Sequence, residues 1–245
     1  MRRRLIIEII LVLAVTFGMS GLRSGLKLID AYLTAPLNEQ STTLVQPASS
    51  VSWLDLALQL TSAGTLVAWG ALAWFLLGSR WCWPRWRDVA HGAGLAAAIG
   101  LPGLAFYVAA VNLGLSKVVV PTTDAVQIPT SLVWAFANGF GEEVVVVAYL
   151  VTRLGQLGWT PWQVVAASAV LRGSYHLYQG VSAGAGNIVM GVVFAAYFLW
   201  RNKGNKSAAA DWIAPVWALV LAHFLIDAVA FVGYPLVDLS WLGIQ

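Results

Sequence analysis

The chain of 245 residues carries few charges, with 14 lysines and arginines and 11 aspartates and glutamates, which is 10% of its residues. A soluble domain carries about 25%. Hydrophobic residues make up 59% of the chain, and the mean hydropathy is +0.75. This composition excludes a soluble globular enzyme and a disordered chain, and a single cysteine, Cys82, excludes an internal disulfide. We therefore predict an all-α protein, a polytopic transmembrane helix bundle of about seven to eight spans.

Apolar segments in chain order predict seven helices, and residues 1–245 are interpreted as a single membrane-embedded domain. The helices are expected near residues 5–22, 53–78, 89–115, 131–154, 162–179, 184–200 and 212–233. Residues 24–52 contain prolines and a polar run, so they are predicted as a long loop with room for a short surface helix. Residues 116–130, with two prolines, are predicted as a second loop. An eighth span would come from dividing 212–233 or from 24–52.

Lysine and arginine are distributed unequally between the two sets of loops. One set holds Arg2, Arg3, Arg4, Arg80, Arg85, Arg87, Arg153, Arg201, Lys203 and Lys206, and the other holds Arg23, Lys27 and Lys117. Because cytoplasmic loops carry the excess of these residues, we predict a multi-pass protein of the plasma membrane with a cytoplasmic N-terminus. The net charge of +3 is explained by the same bias, so no nucleic-acid partner is expected.

Six ionisable residues fall at membrane depth on three predicted helices. They are the adjacent Glu142 and Glu143, then Arg172 and His176 four residues apart, then His223 and Asp227 four residues apart. A spacing of four puts both members of a pair on one helix face. A charge at the centre of a span costs about 2.5–3.5 kcal/mol, so these residues need partners. With a rise of about 1.5 Å per residue, Glu142, His176 and His223 lie at similar depths, which predicts one shared site.

This set of residues suits the hydrolysis of an amide by water. A glutamate can take a proton from water, histidines can donate a proton or stabilise an oxyanion, and an aspartate can orient an imidazole. No serine or cysteine nucleophile is needed, and we expect no cofactor. A zinc ion held by Glu142, His176 and His223 is the alternative, because His₂Glu with an open position is a catalytic zinc arrangement. The HExxH spacing is absent, however.

Three motifs on these helices resemble those of the CPBP family, the CAAX prenyl proteases and bacteriocin-processing enzymes that are also called the Abi family. The motifs are Gly141-Glu142-Glu143-Val144 through Arg153, Arg172-Gly173-Ser174-Tyr175-His176, and His223-Phe224-Leu225-Ile226-Asp227. The resemblance covers roughly residues 135–232 and indicates a motif-bearing core at about 131–233. Each motif alone is weak, but all three occur in the family's order on hydrophobic helices.

The resemblance implies an intramembrane endopeptidase similar to CAAX prenyl protease type II. It implies that Glu142 activates water, that His176 helps to hold this water, and that His223 and Asp227 form the oxyanion side. Glu143 and Arg172 are interpreted as supporting residues. The implied partners are a membrane-associated peptide or protein substrate and the lipid bilayer. The sequence does not indicate an oligomeric state.

The chain departs from the family motifs at two positions. The first motif is usually EExxxR, and Val147 stands where the arginine is expected; the second usually begins with Phe, where Arg172 stands. We hypothesise that the cation has moved, so that Arg172 pairs with Glu143 or Asp227. An alternative function is that of an inactive family member, a scaffold, an immunity protein or a peptide-binding membrane protein. Tyr175, beside His176, is interpreted first as a packing residue.

Overall fold

A computed structural model describes residues 2–44, 46–119, 127–203 and 212–233. These residues form helices and two strands of two residues each. The helices are α1 (Arg2–Val15), α2 (Phe17–Thr34), α3 (Ser52–Leu77), α4 (Trp86–Asn112), α5 (Ile128–Glu142), α6 (Leu150–Gln156), α7 (Pro161–His176), α8 (Val181–Arg201) and α9 (Val216–Ala228). Short 3₁₀ turns cover Leu37–Glu39 and Leu177–Gln179, and π-helical turns cover Glu143–Tyr149 and Val229–Gly233. The predicted all-α, membrane-type bundle is confirmed.

The N-terminal region differs from the sequence prediction, which placed a loop at 24–52. Helix α2 runs on to Thr34, and it is bent by 49° from α1. At the bend, the Thr16 hydroxyl donates to the carbonyl of Val12 (2.7 Å), and a threonine bonded to the preceding turn often bends a helix. The loop prediction was wrong for residues 24–34, because the glycines and serines of α2 form a helix face, with Gly21 and Ser24 buried. Between α2 and α3, the described residues form only a 3₁₀ turn and a short strand, as a loop does.

Four helices among the described residues are long and apolar enough to cross a membrane. They are Ser52–Leu77, Trp86–Asn112, Ile128–Gln156 and Val181–Arg201, and the bent pair of α1 and α2 makes a fifth if it counts as one span. Helix α7 has 16 residues, which is about 24 Å of helix against a hydrocarbon core of about 30 Å. The predicted count of seven to eight spans is therefore not fully confirmed, although each predicted helix coincides with a helix of the structure.

The helix Ile128–Gln156, made of α5, the first π-helical segment and α6, lies at the centre of the bundle. In the most apolar 18-residue stretch of this helix, 72% of the residues are buried, whereas the corresponding share is 11% to 39% in the other three long spans. Helices α3 and α9 pack on α5, α7 packs on α8, and α2 and α4 pack on α7 and α9 respectively. Large apolar side chains such as Leu11 and Phe75 point outward, as expected for surfaces that face lipid. The candidate site residues are carried by this central helix and its neighbours.

Two short strands join loops at the end of the bundle that the lysine and arginine distribution predicts to be outside. Strands β1 (Ser41–Thr42) and β2 (Val118–Val119) pair in parallel. The adjoining Lys117 amide donates to the carbonyl of Gln179 at 3.1 Å, which ties the same loop to the end of α7. Backbone hydrogen bonds therefore join the described parts of these loops to one another and to the end of α7.

Candidate active site

Glu142 and Glu143 lie where the central helix changes from α to π geometry. Glu142 ends α5, and Glu143 begins the π-helical segment that extends to Tyr149. A π-helical turn holds an additional residue and occurs often at functional sites. Both carboxylates are buried, with 6% of Glu142 and 0% of Glu143 exposed. The helix thus presents two adjacent acidic groups to its packed neighbours.

Glycines on either side of Phe140 let two helices approach the central one closely. A Cβ atom at Gly139 would lie 2.9 Å from the carbonyl oxygen of Val220 on α9. One at Gly141 would lie 2.8 Å from the carbonyl oxygen of Leu66 on α3. Only glycine permits this spacing, so the sequence directly before the two glutamates sets the distance between them and α9.

The Glu143 carboxylate accepts hydrogen bonds from two side chains, Arg172 of α7 and His223 of α9. The Arg172 guanidinium donates from Nη2 to Oε1 (2.5 Å), and Nδ1 of His223 lies 2.7 Å from the same oxygen. Because a carboxylate only accepts, this contact assigns the proton to Nδ1. The hypothesised ion pair between Arg172 and Glu143 is therefore present, and the cation that is missing at Val147 is supplied by α7.

Glu142 has a different environment, because its one short hydrogen bond comes from a tyrosine and its charged neighbours lie farther away. The Tyr175 hydroxyl donates to Oε2 (2.6 Å). Nη1 of Arg172 and Nε2 of His176 lie 3.5 and 3.7 Å from this same atom, too far for good hydrogen bonds. Oε1 of Glu142 accepts no hydrogen bond from the described part of the chain. One oxygen of this carboxylate is held and the other is free to accept a proton.

His223 and the last predicted residue, Asp227, lie on one face of α9. Nε2 of His223 is 3.6 Å from Oδ1 of Asp227, and the Asn138 amide donates to Oδ2 of Asp227 (3.0 Å). Asn138 was missed in the sequence, although it precedes Glu142 by one helical turn and is polar at membrane depth. The structure thus brings all six predicted residues together and adds Asn138 and the hydroxyl of Tyr175.

Arg172 is the electrostatic centre of the cluster. Its side chain is 0% exposed, lies against both carboxylates, and has the ring of Phe194 5.4 Å from its guanidinium carbon. Taking one partner away from a buried ion pair costs about 3–5 kcal/mol, because the remaining charge stays desolvated. Arg172 is therefore required by the pair of glutamates, whatever chemistry they perform.

Three ligand atoms, one each from Glu142, Glu143 and His223, lie within 4.8 Å of one another and could hold a metal ion. This group differs from the zinc set considered from sequence, because Glu143 takes the place of His176. The Arg172 guanidinium and His223 already bind Oε1 of Glu143. A divalent cation would have to displace or face a buried positive charge, so these donors fit a metal poorly.

A second polar cluster lies apart from the site, toward the end of the central helix. Arg153 and Tyr149 both contact Oε1 of Glu8, at 2.8 and 3.2 Å. Arg153 also donates to the carbonyl oxygen of Leu76. This cluster connects α1, α3 and the central helix, and it explains Arg153 and Tyr149 as structural residues.

The fold and the cluster around Glu142 and Glu143 define a membrane-embedded helix bundle with a buried site of glutamate, arginine and histidine residues. Residues 124–229, a little under half of the chain, match the model of the family described as Type II CAAX prenyl endopeptidase Rce1-like. The matched segment contains all six predicted site residues, and it confirms the resemblance to the CPBP family that the three motifs indicated. No curated protein and no solved structure gave a significant match.

The family match supports a protease of the CAAX type that acts within the membrane. The matched segment starts before α5 and ends just after α9. Helices α1 to α4 precede it, so the family model does not cover the N-terminal part that packs around the site.

Proposed function

We propose that this chain is an intramembrane endopeptidase in which Glu142, without a metal, activates a water molecule that hydrolyses a peptide bond. The observation that carries the proposal is the unequal environment of the two adjacent glutamates. Glu143 is bound by Arg172 and His223 at hydrogen-bond distance, whereas the one hydrogen bond to Glu142 from the described residues comes from Tyr175. Each glutamate has one oxygen without a hydrogen bond from the described residues, but that of Glu143 is completely buried, whereas Glu142 is 6% exposed and offers its oxygen to water as a general base.

The reaction proceeds by addition and elimination at the substrate carbonyl. Oε1 of Glu142 takes a proton from water while the water oxygen bonds to the carbonyl carbon. His176 is assigned to the water, since Nε2 lies 3.7 Å from the Glu142 carboxylate and has no hydrogen bond to the described residues. The proton held by Glu142 then passes to the amide nitrogen as the carbon–nitrogen bond breaks, which releases a carboxylate and an amine.

His223 is proposed as the donor to the oxyanion that forms in this reaction. Its Nδ1–H is donated to Glu143, so Nε2 is the nitrogen left to face the substrate oxygen. Nε2 donates there in the imidazolium form of His223, which carries a proton on both nitrogens and lies between the carboxylates of Glu143 and Asp227. Asp227, itself held by Asn138, lies beside Nε2 and orients the ring. Preorganised donors of this kind are worth about 2.7–4 kcal/mol in other hydrolases.

The substrate is proposed to be a membrane-associated protein or peptide, as the site lies within helices that border lipid. We propose a plasma-membrane location, and the excess of lysine and arginine in one set of loops supports a cytoplasmic N-terminus. The net charge does not indicate binding to nucleic acid. We also propose one membrane-embedded domain over residues 1–245, with the motif-bearing core at 131–233.

The proposal is tested with the full chain in proteoliposomes and an internally quenched, farnesylated CAAX peptide. We expect cleavage by the wild type and a kcat about 10²- to 10⁴-fold lower in Glu142→Gln, which keeps size and hydrogen bonding but loses the base. Glu39→Gln is the matched control, because Glu39 is exposed at the end of a 3₁₀ turn, outside the site. A wild type that does not cleave the peptide, or a Glu142→Gln variant with wild-type kcat, overturns the proposal. The same peptide without the prenyl group shows whether the lipid is recognised.

A further inference from the structure

The Tyr175 hydroxyl makes the shortest contact of the Glu142 carboxylate. Tyr175 lies one residue before His176 on α7, its side chain is buried, and its hydroxyl donates to Oε2 at 2.6 Å. The other two groups near this oxygen, on Arg172 and His176, are 3.5 and 3.7 Å away. Among the described residues, Tyr175 is thus the group that sets the orientation of this carboxylate.

The tyrosine ring is itself held by the N-terminal helices, outside the segment that matches the family model. Phe17, the first residue of α2 after the bend, packs on the Tyr175 ring with centroids 4.9 Å apart. Phe17 is supported from behind by Trp69 of α3, with centroids 5.5 Å apart. A side chain added at Gly21 of α2 would collide with Ser174, so the two helices pack closely beside Tyr175.

A glutamate carboxylate turns freely unless one of its oxygens is bound. A half-turn about the last bond only exchanges two equivalent oxygens, but a partial rotation would turn both of them toward Arg172, which already lies 3.5 Å from Oε2. The bond from Tyr175 opposes this rotation by keeping one oxygen in place. The other oxygen then keeps no hydrogen bond from the described residues and remains available for water.

We propose that Tyr175 is a positioning residue of the site, which fixes Oε2 of Glu142 through its hydroxyl and is held in place by Phe17 from the bent N-terminal helix. This inference rests on the proposed role of Glu142 as the base. It makes α2 a functional part of the protein, because the helix bend at Thr16 places Phe17 against the tyrosine ring.

The test compares three variants of the full chain in proteoliposomes with the farnesylated CAAX peptide. Tyr175→Phe removes only the hydroxyl and keeps the ring against Phe17, so we expect kcat to fall about 10- to 100-fold with KM unchanged. Phe17→Leu keeps the hydroxyl but loosens the ring, for which we expect a fall in kcat of about 2- to 10-fold. Tyr197→Phe is the matched control, because its hydroxyl bonds to His91 elsewhere, and it retains wild-type kcat.

A spectroscopic measurement makes the result independent of turnover. The infrared band of the Glu142 carboxylate is the one that disappears in Glu142→Gln, and it shifts in Tyr175→Phe if the hydroxyl binds this group. A shifted band with lowered kcat and an unchanged unfolding midpoint supports the proposal. An unshifted band, or a wild-type kcat in Tyr175→Phe, overturns it. If Glu142→Gln also cleaves at the wild-type rate, the proposed function fails and not the tyrosine contact alone.

Discussion

Arg172 of α7 forms a hydrogen-bonded ion pair with Glu143 of the central helix, and both side chains are 0% exposed. In the motif that the sequence resembles, the cation belongs to the same helix as the glutamates, at the position of Val147. Here Val147 is fully buried, and the positive charge reaches the same carboxylate from a neighbouring helix. The electrostatic partner of Glu143 is retained although its place in the sequence differs.

Removing the cation alone is expected to destabilise the fold strongly. Arg172→Met leaves Glu143 buried with one donor fewer, so we expect a loss of about 3–5 kcal/mol in the free energy of unfolding. The double variant Glu143→Gln with Arg172→Met removes both charges and should lose less than Arg172→Met does. Denaturant unfolding in micelles measures each value, and Arg87→Met, on an exposed arginine, is the control. Strictly additive losses would contradict the proposed pairing.

Asn138 is expected to matter for turnover because it holds Asp227. Asn138→Leu deprives Oδ2 of its donor and frees the aspartate to move from His223, so we expect kcat to fall about tenfold. Asn112→Leu is the matched control, since Asn112 is exposed and bonds only to a carbonyl of its own helix. Steady-state cleavage measures both variants. Equal kcat values for the two would show that Asn138 contributes only packing.

Metal chelators are expected to leave turnover unchanged. The guanidinium of Arg172 lies where a divalent ion would approach Glu143, and a buried positive charge disfavours a second one. The measurement is the cleavage rate after dialysis against 1,10-phenanthroline, with a zinc endopeptidase treated in parallel. Activity lost on dialysis and restored by one equivalent of zinc would favour the metal route through Glu142, Glu143 and His223.

The single cysteine allows a direct test of membrane orientation. Cys82 lies between α3 and α4, in a loop that the lysine and arginine distribution places in the cytoplasm. A membrane-impermeant maleimide should therefore label it only after the cells are permeabilised. The control variant, Cys82→Ser with Ser50→Cys, carries its thiol in the opposite loop and should be labelled in intact cells. Labelling of Cys82 in intact cells would instead show that the N-terminus lies outside the cell.

The helices and the convergence of the site were predictable, because both depend on regularities in the sequence. Apolar stretches locate the helices, and a charged residue at membrane depth needs a partner, so Glu142, Arg172 and His223 were expected to meet. The departure from the family motif at Val147 led us to expect that Arg172 pairs with Glu143 or Asp227, and the structure shows the pair with Glu143.

Other features could not be predicted from local patterns. The extension of α2 depends on the burial of Gly21 against α7 and of Ser24 against the turn that follows α7, which are tertiary contacts. The bond from Tyr175 to Glu142 depends on the direction of one side chain across two helices. The short lengths of α7 and α9 were also not predicted, because a hydropathy pattern does not show at which residue a helix ends.

The most direct test compares Glu142→Gln with Glu143→Gln in the same cleavage and unfolding measurements. If Glu142 is the base and Glu143 anchors Arg172, Glu142→Gln should fold like the wild type with a kcat about 10²- to 10⁴-fold lower. Glu143→Gln should instead lose stability, because it leaves Arg172 without its closest charged partner. A folded Glu142→Gln variant that cleaves at the wild-type rate would contradict the account.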